Sequence, residues 1–270
     1  MRIKAYLPFT KAAIQMFMAY GFNFWMYTLG SLLRVFVVFY LWDTIYRSSP
    51  ETLLEGYAFL EMVTYIFIAE LVTRLVYNDA DWFVADEVKS GSIASNLIKP
   101  ISYHLRIFFM ALGQFLFELF VVCLPIWIVI SVGGWFLLGL TPPSLMSILL
   151  FLLSVFLSFV LMYFFNMSFG FLAFYLENMW GMAHVKYVLV AFLSGLVIPV
   201  AFFPQWIQKV LEWLPFGSFA SMPLQVYLGK LGTEALLWGF GKQLLWIGAF
   251  ALLSQFIYSR AINRLTINGG

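Results

Sequence analysis

The chain has 270 residues, of which 63% are hydrophobic, 20% aromatic and only 10% charged, against about a quarter charged in ordinary soluble domains. A soluble fold of this size has no interior large enough for so much apolar surface, so the composition points to an integral membrane protein. The net charge of +2 is spread through termini and loops and offers no basic patch to nucleic acid.

Several apolar runs approach or exceed the roughly 20 residues that cross a bilayer as a helix, whereas a membrane barrel would show short alternating segments. The expected class is all-α, with one membrane domain over residues 1–270. Cys123 is the single cysteine and lies inside an apolar run, which excludes an internal disulfide. Residues 1–20 hold no short apolar core followed by a small-residue cleavage site, so no removed signal peptide is expected.

Residues 1–19 interleave Arg2, Lys4 and Lys11 with Tyr6, Leu7, Phe9, Ile14, Phe17 and Met18. This suits an interfacial helix with its cations toward anionic headgroups, or else a basic flank of the first span. Six spans are predicted: about 21–46, 57–77, 105–130, 145–176 after a Pro142-Pro143 start, one beginning near His184 and interrupted by Pro199, and 236–258. With the N-terminus inside, Arg2, Lys4, Lys11, Arg74, Lys89, Lys99, Arg106, Lys186, Arg260 and Arg264 fall on the inner side. Arg47, Lys209, Lys230 and Lys242 fall on the outer side. This asymmetry puts both termini, and the loop 78–104, in the cytoplasm.

That loop is the longest stretch without a membrane-length apolar segment, and it carries Asp79, Asp81, Asp86, Glu87, Lys89 and Lys99. Ser90 or Ser92 is placed to cap a short helix through Ser95 and Asn96, with Pro100 as its stop. Ile93 and Leu97 stand one turn apart and form a candidate apolar knob for a partner's cleft, rimmed by Asp86, Glu87 and Lys89. The alternative is an ordinary polar turn, which needs far fewer residues.

Between spans five and six, Gly195, Pro199, Pro204, Pro215 and Pro223 punctuate an otherwise apolar stretch, so 196–232 cannot be a straight helix. Pro204 opens a segment in which Trp206, Ile207, Val210, Leu211 and Leu214 recur at helical spacing. It reads as a short amphipathic helix or a re-entrant pair at the outer face, anchored by Trp206 and Trp213.

Charges inside spans cost about 2.5 to 3.5 kcal/mol each at the membrane centre, so each calls for a partner or a pathway. Arg34 and Glu118 lie near the middle of spans one and three and are expected to pair, or else to face a polar cavity singly. Glu61 and Glu70 fall toward the two ends of span two, where interfacial positions are expected.

An enzymatic site has little support. His184 and Ser194 are the one combination resembling an intramembrane protease, and ten residues of helix separate them by about 15 Å along the axis. His104 and His184 are the only histidines, and no His/Cys cluster suggests a metal. Gly229-Lys230 is followed by Leu231 and Gly241-Lys242 by Gln243, so neither makes a phosphate-binding loop.

The order of features resembles the membrane subunits of ABC exporters of the type-2 class, and the resemblance covers nearly the whole chain. Its loop motif, an acidic residue, then Gly, a small polar residue, an apolar pair and Pro, is met by Glu87, Gly91, Ser92, Ile93, Leu97, Ile98 and Pro100. Its proline pattern before the last span is met by Ile198-Pro199, Phe203-Pro204 and Leu214-Pro215-Phe216. The resemblance implies a permease with no cofactor of its own and a cytoplasmic coupling helix in 78–104. It implies two separate ABC ATPase subunits that bind ATP and Mg, and a second permease, identical or similar. A bacterial plasma membrane is expected, and aromatics such as Phe22, Phe24, Trp25 and Tyr27 suit either a hydrophobic or amphiphilic cargo (a lipid, drug or peptide) or ordinary lipid-facing packing. An ATP-independent channel or secondary transporter is the alternative, disfavoured because only one region is broken and no repeat matches it.

Overall fold

The computed structural model describes residues 3–19, 21–138, 143–176 and 178–263. Arg2, Arg264 and Pro142 lie outside the described residues. The chain is helical apart from one small hairpin among the described residues. Helix α1 spans Leu7–Ala19 and α2 spans Gly21–Ser48, followed by a hairpin of β1 (Leu53–Leu54) and β2 (Tyr57–Ala58). Then come α3 (Phe59–Val76), α4 (Ala80–Lys89), α5 (Ile93–Leu97) and α6 (Tyr103–Phe117). A π-helical segment, Glu118–Cys123, joins α6 to α7 (Leu124–Leu138). Helix α8 (Leu145–Gly170) is followed by a 3-10 turn, Phe171–Phe174, and by α9 (Trp180–Leu193). The remainder is α10 (Gln205–Trp213), α11 (Phe216–Phe219), α12 (Ser221–Tyr227) and α13 (Thr233–Ile262).

Local chemistry sets these boundaries. Glu61 accepts from the Ala58 amide at 3.0 Å and closes the first turn of α3. Ser102 and Ser144 accept from the amides of Leu105 and Ser147, at 3.4 and 3.1 Å, and cap α6 and α8. The π segment ends two residues before Pro125, whose missing N–H would leave a carbonyl of the preceding turn unpaired; the wider register absorbs that fault. Gly195, at φ +90°, stops α9, and its carbonyl accepts from the Tyr65 hydroxyl. Pro199, Pro204 and Pro215 each stand immediately before a new helical turn, so the stretch expected to be broken is divided at its prolines.

Four helices are long and apolar enough to cross a membrane among the described residues: Thr28–Ser48, Tyr103–Phe136, Leu145–Phe174 and Thr233–Ile262. The two remaining predicted spans differ from a simple apolar run. Helix α3 is 18 residues long but carries Glu61, Glu70 and Arg74. Helix α9 has only 14 residues, about 21 Å of rise against a hydrocarbon core of about 30 Å.

Helix α8 sits at the centre of one buried core, with Val155, Phe159, Leu161 and Phe171 packed against Met62, Val72, Ile107 and Phe219. Gln243 of α13 is fully buried in that interior, donating to Ser154, Ser158 and the Ser218 carbonyl. A buried amide is tolerated when its hydrogen bonds are met, and here they pin α8 to α13.

Helix α1 was expected to lie on headgroups or flank the first span. It packs along α6: Tyr6, just before α1, stacks on Phe109, Thr10 donates to the Phe109 carbonyl at 2.9 Å, and Phe17 stacks on Phe117. Gly113 makes the approach possible, since a Cβ there would lie 2.6 Å from the Thr10 carbonyl oxygen and 2.7 Å from the Ala13 Cβ. Gly113→Ala should therefore destabilise the protein by about 1 to 3 kcal/mol, seen as a lower melting temperature in detergent. Gly133→Ala, with nothing within 4 Å of its Cβ, should be neutral or mildly stabilising.

Candidate functional site

The polar stretch between α3 and α6 folds into a compact lobe of two helices, α4 and α5. Gly91, at φ +74°, reverses the chain between them. Ser92 takes the N-cap position of α5, although its side chain makes no capping bond there. Two buried ion pairs fasten the lobe to the helical body. Glu87 receives both contacts of a forked bond from Arg106 of α6, at 2.6 and 2.7 Å, and accepts from the Tyr103 hydroxyl at 3.0 Å. Asp81 of α4 accepts from Lys186 of α9, whose ammonium also donates to Asn166 of α8 at 2.6 Å. Asn166 in turn donates to the Asn78 carbonyl at 2.8 Å, so α8, α9 and the lobe meet at one point. Close packing completes the joint: a Cβ at Gly170 would come within 2.9 Å of Val84 and 3.0 Å of Asp81.

The expected apolar knob is corrected by this geometry. Ile93 is only 1% exposed and points into the core, and Leu97 packs against the same core, because one face of so short a helix must cover the body beneath it. Ile98, by contrast, is 84% exposed. Asp86, Lys89, Gly91, Ser92 and Pro100 are also exposed on the lobe, whereas Glu87 is held by Arg106 and Tyr103 rather than lying on an open rim.

Asp79 lies at the root of the lobe and accepts from Gln114 at 3.2 Å. Burial first, and then the charge of Asp81, push its carboxyl above the ordinary value. A carboxyl whose pKa is raised by folding binds its proton more tightly in the folded state. Its contribution to stability is therefore present in acid and is lost as pH rises through the raised value. Asp79→Asn, which cannot ionise, should melt higher than the parent at pH 8 and close to it at pH 4, as read by thermal unfolding at the two pH values.

The second cluster lies deeper. Arg34 and Glu118 do not pair with each other: Arg34 bonds Glu70, while Glu118 lies 3.4 Å from Arg74. Arg74 also contacts Glu70, at 3.3 Å. The result is an alternating row, Arg34, Glu70, Arg74, Glu118, which links the two expected partners through α3. Glu70 is thus held between two guanidinium groups within the helical body. Sequence reasoning placed Glu70 at an interface and counted Arg74 only toward orientation, although their i,i+4 spacing on one helix signalled a pair.

Along the proline-broken stretch, Trp206 and Trp213 are 69% and 76% exposed, one face of α10 with Val210, while Leu211 is buried on the other. Pro199 and Pro204 precede helical turns as noted, and Pro215 is buried at the start of α11. Lys230 reaches back to Glu61 and the Gly56 carbonyl, both at 2.8 Å, fastening the end of this stretch to the start of α3.

A family model described as ABC-2 family transporter protein matches residues 32–269, a range that includes the lobe, the charged row and the broken stretch. The chain belongs to that family. It is accordingly an ABC permease, a multi-pass transport subunit of a family that associates with an ABC ATPase. A search of curated proteins finds no match.

Among the described residues of this permease, Glu70 pairs with two guanidinium groups, and Glu118 pairs with Arg74 at 3.4 Å. Glu70→Leu should therefore be severely destabilising, by about 3 to 5 kcal/mol, as for a buried pair stripped of one partner. Glu118→Gln should cost clearly less, and yield of folded protein after extraction, together with melting temperature, ranks the two.

Proposed function

We propose that the chain is the membrane half of an ATP-driven exporter. It crosses the bilayer six times, with α3 and α9 as the second and fifth spans and the broken stretch completing the fifth as an outer re-entrant segment. Both termini and the α4–α5 lobe face the cytoplasm of a bacterial cell. Two ABC ATPase subunits, holding ATP and Mg, lie below a pair of permeases, identical or similar, and the cargo is hydrophobic or amphiphilic. The lobe is the coupling element.

One observation carries this reading: a chain of the ABC-2 family presents an exposed edge, Asp86, Lys89, Ser92, Ile98 and Pro100, on a lobe clamped to the helical body by buried ion pairs. A polar lobe that merely turned the chain around would gain nothing from such fastening, since buried pairs are weak sources of stability. A lobe that must transmit force needs to be stiff. Exposed Ile98 supplies an apolar contact, and Asp86 and Lys89 supply charges on the same lobe.

Tagged protein pulled from its native membranes, and analysed by mass spectrometry, tests the docking edge. The parent should retain a protein bearing a phosphate-binding loop. Ile98→Asp should reduce that recovery at least tenfold without changing membrane insertion, whereas Ile93→Asp should lower the amount of folded permease itself. Undiminished ATPase with Ile98→Asp removes the edge from the interface, and absence of any ATPase from the parent overturns the exporter reading.

A further inference from the structure

Between α2, α3 and α9 lies a cavity of about 300 Å³, at the small end for ligand pockets. Its walls are chiefly aliphatic and aromatic, with Val35, Val38, Trp42 and Ile66 among them, and its charged groups are Arg34 and Glu70, with Thr73, Tyr77 and Tyr187 adding hydroxyls. The volume suits one hydrocarbon chain rather than two, and the polar patch sets the chemistry of what else the occupant carries.

The bonding of that patch is unequal. Both oxygens of Glu70 are engaged, one by Arg34 and the other by Arg74. Arg34 has five N–H groups to offer. Among the described residues its partners are Glu70 and, at 3.5 Å, the Tyr187 hydroxyl. Its side chain is 44% exposed, unlike the buried Arg74. The unused capacity facing the cavity is therefore that of a cationic donor. A guanidinium in apolar surroundings favours a planar or multidentate anion, a carboxylate or a phosphate.

We infer that this cavity binds a single-chain anionic amphiphile, its acidic head on Arg34 and its chain along Val35, Val38 and Trp42. The inference rests on the reading of the chain as a permease for amphiphilic cargo and names the class of that cargo. A cationic head would meet Arg34 directly, and a neutral one would leave its free donors unpaired in an apolar site.

The test uses the full-length permease in phosphatidylcholine nanodiscs, without any ATPase. Binding of radiolabelled palmitate is measured against unlabelled palmitate, palmitoyl lysophosphatidate and hexadecanol as competitors. Palmitate should bind saturably, and hexadecanol should compete at least tenfold more weakly than an acidic amphiphile of equal chain length. Stronger competition by palmitate assigns a carboxylate head, and stronger competition by lysophosphatidate a phosphate head; either supports the site. Arg34→Gln should weaken binding at least tenfold. Val38→Trp, which fills the cavity and leaves every ion pair in place, should do the same and keeps the test decisive if Arg34→Gln does not fold.

Equal competition by hexadecanol, or unchanged binding with Val38→Trp, overturns the inference. So does a Val38→Trp variant that loses only self-association on light scattering, since the cavity would then be the seat of a second copy. Because no ATPase is present, failure here is separable from failure of the docking experiment.

Discussion

The cost of placing charge in an apolar body governs this structure more than any other constraint. An ionised group at the centre of a membrane helix costs about 2.5 to 3.5 kcal/mol on insertion scales, and the body of this chain holds several. The row Arg34, Glu70, Arg74, Glu118 alternates in sign and sums to zero, so no member is left to be solvated alone. Two of the four stand on α3, and this explains why that helix is charged along its length yet nearly enclosed by its neighbours. Its charged residues face other elements, and α2, α8 and the π segment supply most of its surroundings.

The same constraint shapes the joint between body and lobe. Asp81 with Lys186 is a buried pair between elements 105 residues apart, and Glu87 with Arg106 a partly buried pair between α4 and the nearby α6. Removing the lysine or the arginine would strand a carboxylate in a poorly solvated site, a larger penalty than the pair's net contribution to stability. Such contacts define geometry: each admits one docking of α4 against the helices, and Gly170 allows that docking to be close. The lobe therefore belongs to α8 and α9 as much as to α3 and α6, its neighbours in sequence.

Much of the helical layout was legible in the sequence because apolar runs, proline positions and serine caps are local signals. Pro199, Pro204 and Pro215 divide the chain where their missing N–H groups require, and Ser92, Ser102 and Ser144 stand before helices. What spacing does not encode is which side of a helix faces the body. Ile93 and Leu97 share a face, as one turn of separation demands, but that face is turned inward and Ile98 is left outside. Pairing was illegible for a similar reason. Arg34 and Glu118 were matched by estimated depth, yet Glu70 and Arg74, four residues apart on α3, lie between them and take both bonds.

The placement of the joint bears on how the proposed exporter would move. A pull on the exposed edge at Ile98 enters α4 and passes through Glu87 to α6, and through Asp81 to Lys186 on α9. Helix α9 also carries Tyr187, one residue on, which touches Arg34 at the charged row. One short helix thus links the fastening of the lobe to the polar patch of the cavity between α2 and α3. Its far end stops at Gly195, where Tyr65 of α3 holds the carbonyl. A shift of α9 relative to α3 would alter the Lys186 pair, the Tyr187 contact and the Tyr65 bond together, because a helix of 14 residues has little length over which to bend. Coupling between lobe and cavity then needs no relay through solvent and no long chain of intermediates: it follows from two polar contacts on one rigid helix and a third just past its end, all disturbed by the same displacement.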